Sequence, residues 1–350
     1  MQTQIPLTRD LVLIGGGHAH ALVLRMWGMR PLPGVRLTVI NPGPTAPYSG
    51  MLPGHVAGHY PLDALEIDLV QLARFAGARL ILGAADGIDP GARVVTVGDR
   101  RIGYDIASVD IGIHYALPSI PGFAEQGIGA KPLDGYAARW RDFLETAASG
   151  RVPPQVAVIG GGVAGVELAL AMDHALKARG LRPEVAVLEA GPGLSGMSDA
   201  AERKVRAALS DAGVTLRTGA RITGVTATHV DLDEGAPLPA RFTLGAAGAA
   251  PHDWITRSSL PLENGFIRVG PDLRVEGRSD LFAVGDCAHM THAPRPKAGV
   301  YAVRAAKVLD RNLRAVLTGG DLRPYRPQKG FLKLVSLGGK TALADKAGFA

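Results

Sequence analysis

Two stretches decide how this chain folds: Leu11-Val12-Leu13-Ile14-Gly15-Gly16-Gly17-His18-Ala19-His20 and Val156-Ala157-Val158-Ile159-Gly160-Gly161-Gly162-Val163-Ala164-Gly165. In each, a short β-branched apolar run breaks into glycines and then into a helical pattern. In such a fingerprint the first glycine makes a tight turn, the second lets the backbone approach a pyrophosphate, and the third allows close helix–strand packing. The diphosphate then lies at the positive N-terminus of the helix. Two copies predict two dinucleotides, and they favour FAD with a nicotinamide cofactor.

The composition is that of a globular protein large enough for two or three lobes. Of the 350 residues, 47% are hydrophobic and 20% charged, with a net charge of +6. Lys and Arg are scattered without long runs, so a solvated surface is expected and no nucleic acid partner. The N-terminus lacks the pattern of a signal peptide, and no apolar stretch of about 18 residues is present, so the cytoplasm is the expected location.

The order of predicted elements indicates an α/β fold of two Rossmann-like βαβ nucleotide-binding domains, with the NAD domain inserted into the FAD domain. Each fingerprint helix leads to a second strand, which ends at Asn41 in the first copy and at Glu189 in the second. A linker is expected near Pro118 and a return to the first domain near Thr243. The predicted segments are the FAD domain at 1–118 and 243–325, the NAD(H) domain at 119–242, and a short C-terminal segment at 326–350.

Four signals follow one another along the chain: the two fingerprints, Ala246-Ala247-Gly248 with Pro251, and Gly285-Asp286. This order resembles the two-dinucleotide flavoproteins that include pyridine nucleotide-disulphide reductases, type II NADH dehydrogenases and sulfide:quinone reductases. Within that family, the stretches 15–20, 48–54 and 296–304 resemble the NADH dehydrogenase-like domain found fused to selenide, water dikinase. The kinase half is absent from these 350 residues, so the resemblance leaves open a stand-alone form or an excised domain.

The resemblance implies a set of FAD-site residues. Asp286 would bind the ribityl hydroxyls, the backbone of Ala85 would meet the adenine, and Asn41 stands where an acidic residue usually binds the adenosine ribose. Lys297 is a candidate catalytic residue at the pyrimidine edge of the flavin, with a solvated lysine as the equal alternative. The full expected set is Gly15, Gly17, His18, Ala19, Asn41, Met51, Pro53, Ala85, Gly112, Gly285, Asp286 and Lys297.

His20 departs from the fingerprint pattern, as Asn41 does, and Cys287 directly follows the Gly-Asp pair. His20 replaces the third glycine, and the favoured interpretation is a side chain that points off the helix–strand contact. The alternative places His18 and His20 near the phosphates or the flavin, whereas a metal site is rejected because no partner has suitable spacing. Cys287 is the single cysteine, so an internal dithiol is excluded. We expect Cys287 to be a small packed residue.

The second fingerprint is expected to bind NAD(H). Glu189 would accept hydrogen bonds from the ribose hydroxyls and repel a 2′-phosphate, and no Arg or Lys follows in 190–193, so NADH is favoured over NADPH. Glu167 matches a glutamate of type II NADH dehydrogenases and is a candidate catalytic residue that would relay protons or orient the nicotinamide amide. The equal alternative is a charge that only suits the helix N-terminus. The remaining expected cofactor contacts are Gly160, Gly162, Val163, Ala164, Gly165 and Gly248.

Together these features predict an FAD-dependent NADH:acceptor oxidoreductase with a small-molecule acceptor, either a quinone or a selenium compound. The segment 329–337 resembles the family's C-terminal approach to the flavin, and no amphipathic anchor follows it, so peripheral membrane contact is not favoured. The alternative is a non-catalytic redox-sensing module that docks on selenide, water dikinase as a partner. The single cysteine argues against a disulfide reductase. The oligomeric state stays open.

Overall fold

The computed structural model of the protein describes residues 8–113, 119–131 and 133–346, so the predicted linker at Pro118 and the N-terminal segment 1–7 lie outside the described residues. The helices are α1 (His18–Met29), α2 (Leu52–Val56), α3 (Leu69–Ala76), α4 (Phe123–Gln126), α5 (Leu133–Ala148), α6 (Val163–Ala178), α7 (Asp199–Asp211), α8 (Asp253–Thr256) and α9 (Gly299–Thr318). Short 3₁₀ turns lie at Ser49–Met51, Leu62–Leu65 and Gly285–Cys287.

The strands are β1 (Arg9–Ile14), β2 (Val35–Asn41), β3 (Thr45–Pro47), β4 (Glu66–Asp68), β5 (Arg79–Leu82), β6 (Gly87–Asp89), β7 (Val94–Val97), β8 (Arg100–Gly103), β9 (Ile106–Val109), β10 (Gly127–Gly129), β11 (Gln155–Ile159), β12 (Glu184–Glu189), β13 (Thr215–Thr218), β14 (Ile222–Val225), β15 (His229–Leu232), β16 (Leu238–Pro239), β17 (Phe242–Gly245), β18 (Leu262–Glu263), β19 (Phe266–Val269), β20 (Leu281–Ala283), β21 (Ala288–Met290), β22 (Lys333–Ser336) and β23 (Ala342–Asp345). Among the described residues, no helix has both the length and the apolar character needed to cross a membrane.

The chain divides into two compact units. The first contains the described residues up to Tyr48, Glu66–Ile113 and Pro251–Gln328. The second contains Ser49–Leu65 and the described residues between 114 and 250 and from Lys329 onward. Each unit therefore contains one of the two glycine fingerprints.

The first unit is built on a parallel five-stranded sheet in the order β20-β9-β1-β2-β5. Strand β1 is fully buried at its centre, with Leu11 and Leu13 packing on one face with Leu24 and Trp27 of α1. Val12 points to the opposite face and joins a second apolar cluster, because successive side chains of a strand alternate between faces. Helix α1 thus covers one face of the sheet and begins where β1 ends, as the βαβ prediction requires.

The second unit repeats this plan with a parallel sheet in the order β10-β17-β11-β12-β13. Helix α6 contributes Val166, Leu170 and other buried residues to a core that also contains α5, α7 and β22. The α/β class and the parallel sheets expected from the sequence are therefore present in both units.

Three predicted boundaries differ from the structure. Strand β17 pairs in parallel with β10 and β11, so the chain does not return to the first unit at Thr243 but only after residue 250. The segment 49–65 also belongs to the second unit, where Leu52, Val56 and Leu65 are core residues. The C-terminal segment from Lys329 is likewise part of the second unit, because β22 contributes the buried Val335 to the same core. Long-range apolar contacts, which no local pattern reveals, decide these memberships.

The close approach of α6 to its preceding turn gives a test of the second fingerprint. A Cβ on Gly165 would overlap the carbonyl oxygen of Gly160, whereas a Cβ on the exposed Gly135 of α5 would meet open space. We expect Gly165→Ala to lower the free energy of unfolding by about 1–3 kcal/mol or more. Gly135→Ala should leave it unchanged or raise it by about 1 kcal/mol. Urea unfolding of both variants measures this difference, and equal stabilities would contradict the tight turn.

Candidate functional site

The first fingerprint forms a tight turn between β1 and α1. Gly15 has a φ of +91°, and a Cβ there would overlap the carbonyl oxygen of Asp110. The N–H of Gly17, the N-cap of α1, donates to that same carbonyl at 3.1 Å. The glycines are therefore required by the approach of the neighbouring strand end, which also leaves a backbone cradle of the kind that takes a pyrophosphate.

Asn41, expected to contact the adenosine ribose of FAD, first shapes its own loop. Its Oδ1 accepts from the N–H of Gly16 at 2.9 Å, and its Nδ2 donates to the carbonyls of Gly43 and Thr45 at 2.8 and 3.0 Å. Both amide hydrogens are thus used within the protein, and one acceptor lone pair of Oδ1 is left for a ribose hydroxyl. A contact of Asn41 with FAD stays a prediction.

His20 does not point off the helix–strand contact but is fully buried in it. Its Nδ1 lies 2.7 Å from the carbonyl oxygen of Gly15, and its Nε2 lies 2.8 Å from the hydroxyl of Ser108. A carbonyl can only accept, so Nδ1 carries the hydrogen and Nε2 accepts from Ser108. Burial lowers the pKa of His20 to about 4, and a neutral ring at neutral pH follows. The histidine replaces the third glycine by tying the helix start to the sheet.

Asp110 is a site residue that the sequence pattern did not reveal as functional. It is only 3% exposed, and its Oδ2 accepts from the N–H groups of Ala19 at 2.8 Å and His20 at 3.0 Å in the first turn of α1. Burial raises the pKa of Asp110 to about 6, while these hydrogen bonds and the nearby His18 oppose that rise.

The Gly285–Cys287 turn places further predicted residues near Asp110. Gly285 has a φ of +70°, and a Cβ there would overlap Oδ1 of Asp110, so the turn lies directly against that carboxylate. Asp286 follows with a half-buried side chain. Cys287 is fully buried, and burial raises the pKa of its thiol to about 12, which makes it a packed residue with no thiolate at neutral pH.

Lys297 is half-buried rather than freely solvated. Its Nζ donates to the carbonyl of Ala288 at 2.7 Å and lies 3.8 Å from the centroid of the Phe266 ring. Burial lowers the pKa of Lys297, with Cys287 and Asp286 opposing the shift. The ammonium group is therefore held in place by the protein, which suits a fixed positive charge in a cofactor site.

Other predicted FAD contacts are spread between the units. Ala85 packs half-buried against the core of the first unit, and Gly112 has a φ of +27° with open space at its Cβ position. Met51 and Pro53 instead belong to the second unit, where Pro53 is buried. Their roles towards FAD stay predictions.

The second fingerprint repeats the turn with a charged partner. Gly160 has a φ of +116°, and Gly162 is the N-cap of α6, whose first residues are Val163 and Ala164. At the end of β12, Glu189 accepts from the N–H of Gly161 at 2.6 Å through Oε2 and from that of Gly191 at 2.7 Å through Oε1.

A carboxylate has about four acceptor sites, so the two N–H groups leave about two on Glu189 for the 2′- and 3′-hydroxyls of a ribose. Gly248, which follows β17 in the same unit, has a φ of +73°. Glu189 therefore has more free hydrogen-bond acceptor sites than Asn41 has in the first unit, and it also carries a negative charge.

Glu167 lies on α6 and is half-buried against the C-terminal hairpin. Its Oε1 accepts from the backbone N–H of Ser336 at 2.8 Å. Burial raises the pKa of Glu167 to about 7, and the bond from Ser336 partly opposes this. The carboxyl group can therefore hold or release a proton near neutral pH. A catalytic role of Glu167 stays a prediction, and its partner Ser336 lies so far along the chain that no sequence pattern indicated the contact.

Known proteins share this architecture. Residues 9–306 match the pyridine nucleotide-disulphide oxidoreductase family. The chain is 30% identical over 241 residues to demethylphylloquinone reductase NdbB of Synechocystis sp., covering 66% of this chain and 58% of that protein. It is 26% identical to the NADH dehydrogenase-like protein YutJ of Bacillus subtilis, covering 97% of this chain and 92% of that protein.

Among solved structures, NDH2 of Plasmodium falciparum in complex with NADH has a TM-score of 0.84 at 14% identity, covering 97% of this chain and 90% of that chain. This likeness shows the fold. The alignments span only about three fifths of the length of the first curated relatives.

The buried His20 gives a prediction for stability against pH. Because its pKa is lowered from 6.5 to about 4 on folding, the neutral ring contributes stability that is present above pH 6.5 and is lost as the pH falls towards 4. In His20→Gln, whose amide can make both hydrogen bonds, this loss is absent. The stability advantage of the unmodified protein over the variant should shrink by up to about 3 kcal/mol between pH 7 and pH 4.

Urea unfolding at several pH values measures this difference, and the titration of Asp110 largely cancels because both proteins contain it. The exposed His292 is the matched control, and His292→Gln should show no such trend. A constant difference between the unmodified protein and His20→Gln would contradict a neutral buried ring.

Proposed function

The chain belongs to the pyridine nucleotide-disulphide oxidoreductase family, and on this premise we propose that it is an FAD-dependent NADH:acceptor oxidoreductase that reduces a quinone. Membership of this family makes it an oxidoreductase that binds FAD and a pyridine nucleotide. The observation that carries the finer proposal is the pair of βαβ turns, one closed by neutral Asn41 and the other by charged Glu189. FAD, when bound, would supply the chemistry by accepting a hydride from NADH and passing electrons to the acceptor.

The first unit fits FAD in its turn and in its surrounding side chains. The positive-φ Gly15 and the N-cap Gly17 provide the backbone cradle, while Asp286 and Lys297 lie on the segments after β20. Asp286 would accept from hydroxyl groups of the ribityl chain, and Lys297 would hold a positive charge near the flavin. One departure is that Asp110 already bonds N–H groups of α1.

The second unit fits NADH better than NADPH. Glu189 is fixed by two backbone N–H groups and keeps acceptor sites for ribose hydroxyls. A 2′-phosphate would meet this carboxylate, and no Arg or Lys in 190–193 would offset the repulsion.

The acceptor is proposed to be a quinone because one relative is named demethylphylloquinone reductase. A dithiol within this chain cannot receive the electrons, since these 350 residues contain one cysteine and its thiol is buried. None of the relatives described above is named for selenium chemistry. The proposal therefore includes neither a selenium acceptor nor selenide, water dikinase as a partner.

Glu167 is proposed to exchange a proton during reduction of the acceptor. Reduction of a quinone to a quinol consumes two protons, and a carboxyl group that titrates near neutral pH is suited to supply one. The N–H of Ser336 fixes the orientation of this carboxyl group.

Mixing the FAD-loaded protein with NADH without oxygen tests the hydride step. We expect rapid loss of the flavin absorbance with NADH and a much slower loss with NADPH. In Glu189→Gln, one acceptor oxygen replaces two, so binding of NADH should weaken about 10- to 100-fold and the preference over NADPH should decrease. The control Glu184→Gln lies at the exposed start of the same strand and should behave like the unmodified protein. Bound flavin that NADH does not bleach would refute the proposal and favour the non-catalytic sensor.

The proton role of Glu167 is tested with the soluble quinone menadione. Turnover should depend on pH with an inflection near the pKa of about 7. Glu167→Gln should lower kcat by about 100-fold and remove the inflection, while anaerobic bleaching by NADH changes much less. Glu145→Gln, an exposed acid on α5, is the control. If the variant instead slows bleaching and raises KM for NADH alone, Glu167 positions the nicotinamide and the proton role is wrong.

A further inference from the structure

The N-terminus of α1, where the sequence predicts the FAD diphosphate, is already contacted by an anionic group of the chain itself. Asp110 follows β9, and its Oδ2 accepts from two consecutive N–H groups, those of Ala19 and His20. These are among the first N–H groups of the helix, which have no partner within the helix and which an anion would use. The carboxylate and a diphosphate therefore rely on the same donors and the same end of the helix dipole.

The packing around Asp110 leaves this carboxylate little room to turn away. A Cβ on Gly17 would overlap its carboxyl carbon, and a Cβ on Gly285 would overlap its Oδ1. Both glycines are predicted FAD contacts. The carboxyl group is thus enclosed by the cradle itself, and FAD has to bind beside it.

We propose that FAD binds to the form of the protein in which Asp110 is protonated, so that one proton is taken up from solvent when the cofactor binds at neutral pH. The inference rests on the proposed FAD site in the first unit and deepens it. A protonated carboxyl group carries no charge to repel the diphosphate, and its O–H becomes a hydrogen-bond donor. The helix dipole is then available to the cofactor phosphates.

The neighbouring groups agree with such a proton. The pKa of Asp110 is raised to about 6, mainly by burial and to a smaller extent by the negative charge of Asp286. His18 on α1 opposes the rise, while the adjacent His20 is neutral and Cys287 is a thiol at neutral pH. Lys297, on the segment before α9, interacts electrostatically with Asp286 and Cys287. A diphosphate near Asp110 adds negative charge and should move the pKa of Asp110 upward again.

Calorimetric titration of FAD into the flavin-free full chain tests the proposal directly. Measurements at pH 7.5 in two buffers of different ionisation enthalpy give the number of protons taken up on binding. We expect about one proton for the unmodified protein and about none for Asp110→Asn, whose amide oxygen can still accept from Ala19 and His20. The affinity of the unmodified protein should fall by up to about tenfold per pH unit above pH 6, whereas that of the variant should stay nearly constant.

His18→Gln is the matched control, because protonation of His18 would also favour an anion at low pH. If Asp110 is the group that binds the proton, His18→Gln still takes up about one proton. Uptake of no proton by the unmodified protein would overturn the inference even if NADH bleaches its flavin, and so would loss of uptake in His18→Gln with retention in Asp110→Asn. Since the proton count is made on the unmodified protein, misfolding of a variant does not weaken the test. Failure of the unmodified protein to bind FAD at all would instead refute the proposed function.

Discussion

Both nucleotide-binding units depend on one hydrogen bond, from the N–H of the second fingerprint glycine to the side chain that ends the next strand. In the first unit Gly16 donates to Asn41, and in the second Gly161 donates to Glu189. The bond joins the turn to the neighbouring strand of the parallel sheet and so fixes where the helix begins. The glycine before this donor has a positive φ, which permits the turn. The apolar residues of the strands that lead into the turns are buried.

The carboxylate that lies next to the glycine turn has a different position in each unit. The second unit has it at the strand end, on Glu189, where it can meet ribose hydroxyls. The first unit has neutral Asn41 at that position and places a carboxylate, Asp110, at the helix N-terminus. These positions have different consequences, because a strand-end acid attracts hydroxyl donors, whereas an acid at the helix end competes with phosphates. The proposed coupling of FAD binding to a proton therefore belongs to the first unit, where the carboxylate lies at the helix N-terminus.

The local elements could be predicted because their causes are local. Apolar β-branched runs followed by glycines specified both βαβ turns, and α1 and α6 each begin directly after the last of the three fingerprint glycines. Unit membership could not be predicted in this way. The strand 242–245 is apolar enough for either sheet, and only its pairing with β10 and β11 places it in the second. Likewise, the sequence shows a histidine in place of a glycine at position 20. Only the fold shows that its ring nitrogens form hydrogen bonds with Ser108 and the carbonyl of Gly15.

Glu167 shows why the C-terminal hairpin belongs to the candidate site. Burial of its carboxyl group raises the pKa, and the hydrogen bond from the N–H of Ser336 lowers it in part. Strand β22 therefore influences the pKa of an acid on α6. The hairpin is itself attached to the second unit, because Asp345 accepts from the N–H and hydroxyl of Ser198, the N-cap of α7. A displacement of β22 would therefore leave Glu167 with less burial and one hydrogen bond fewer, two effects of opposite sign on its pKa. The proton affinity of the proposed catalytic acid thus depends on a segment that contains no nucleotide fingerprint.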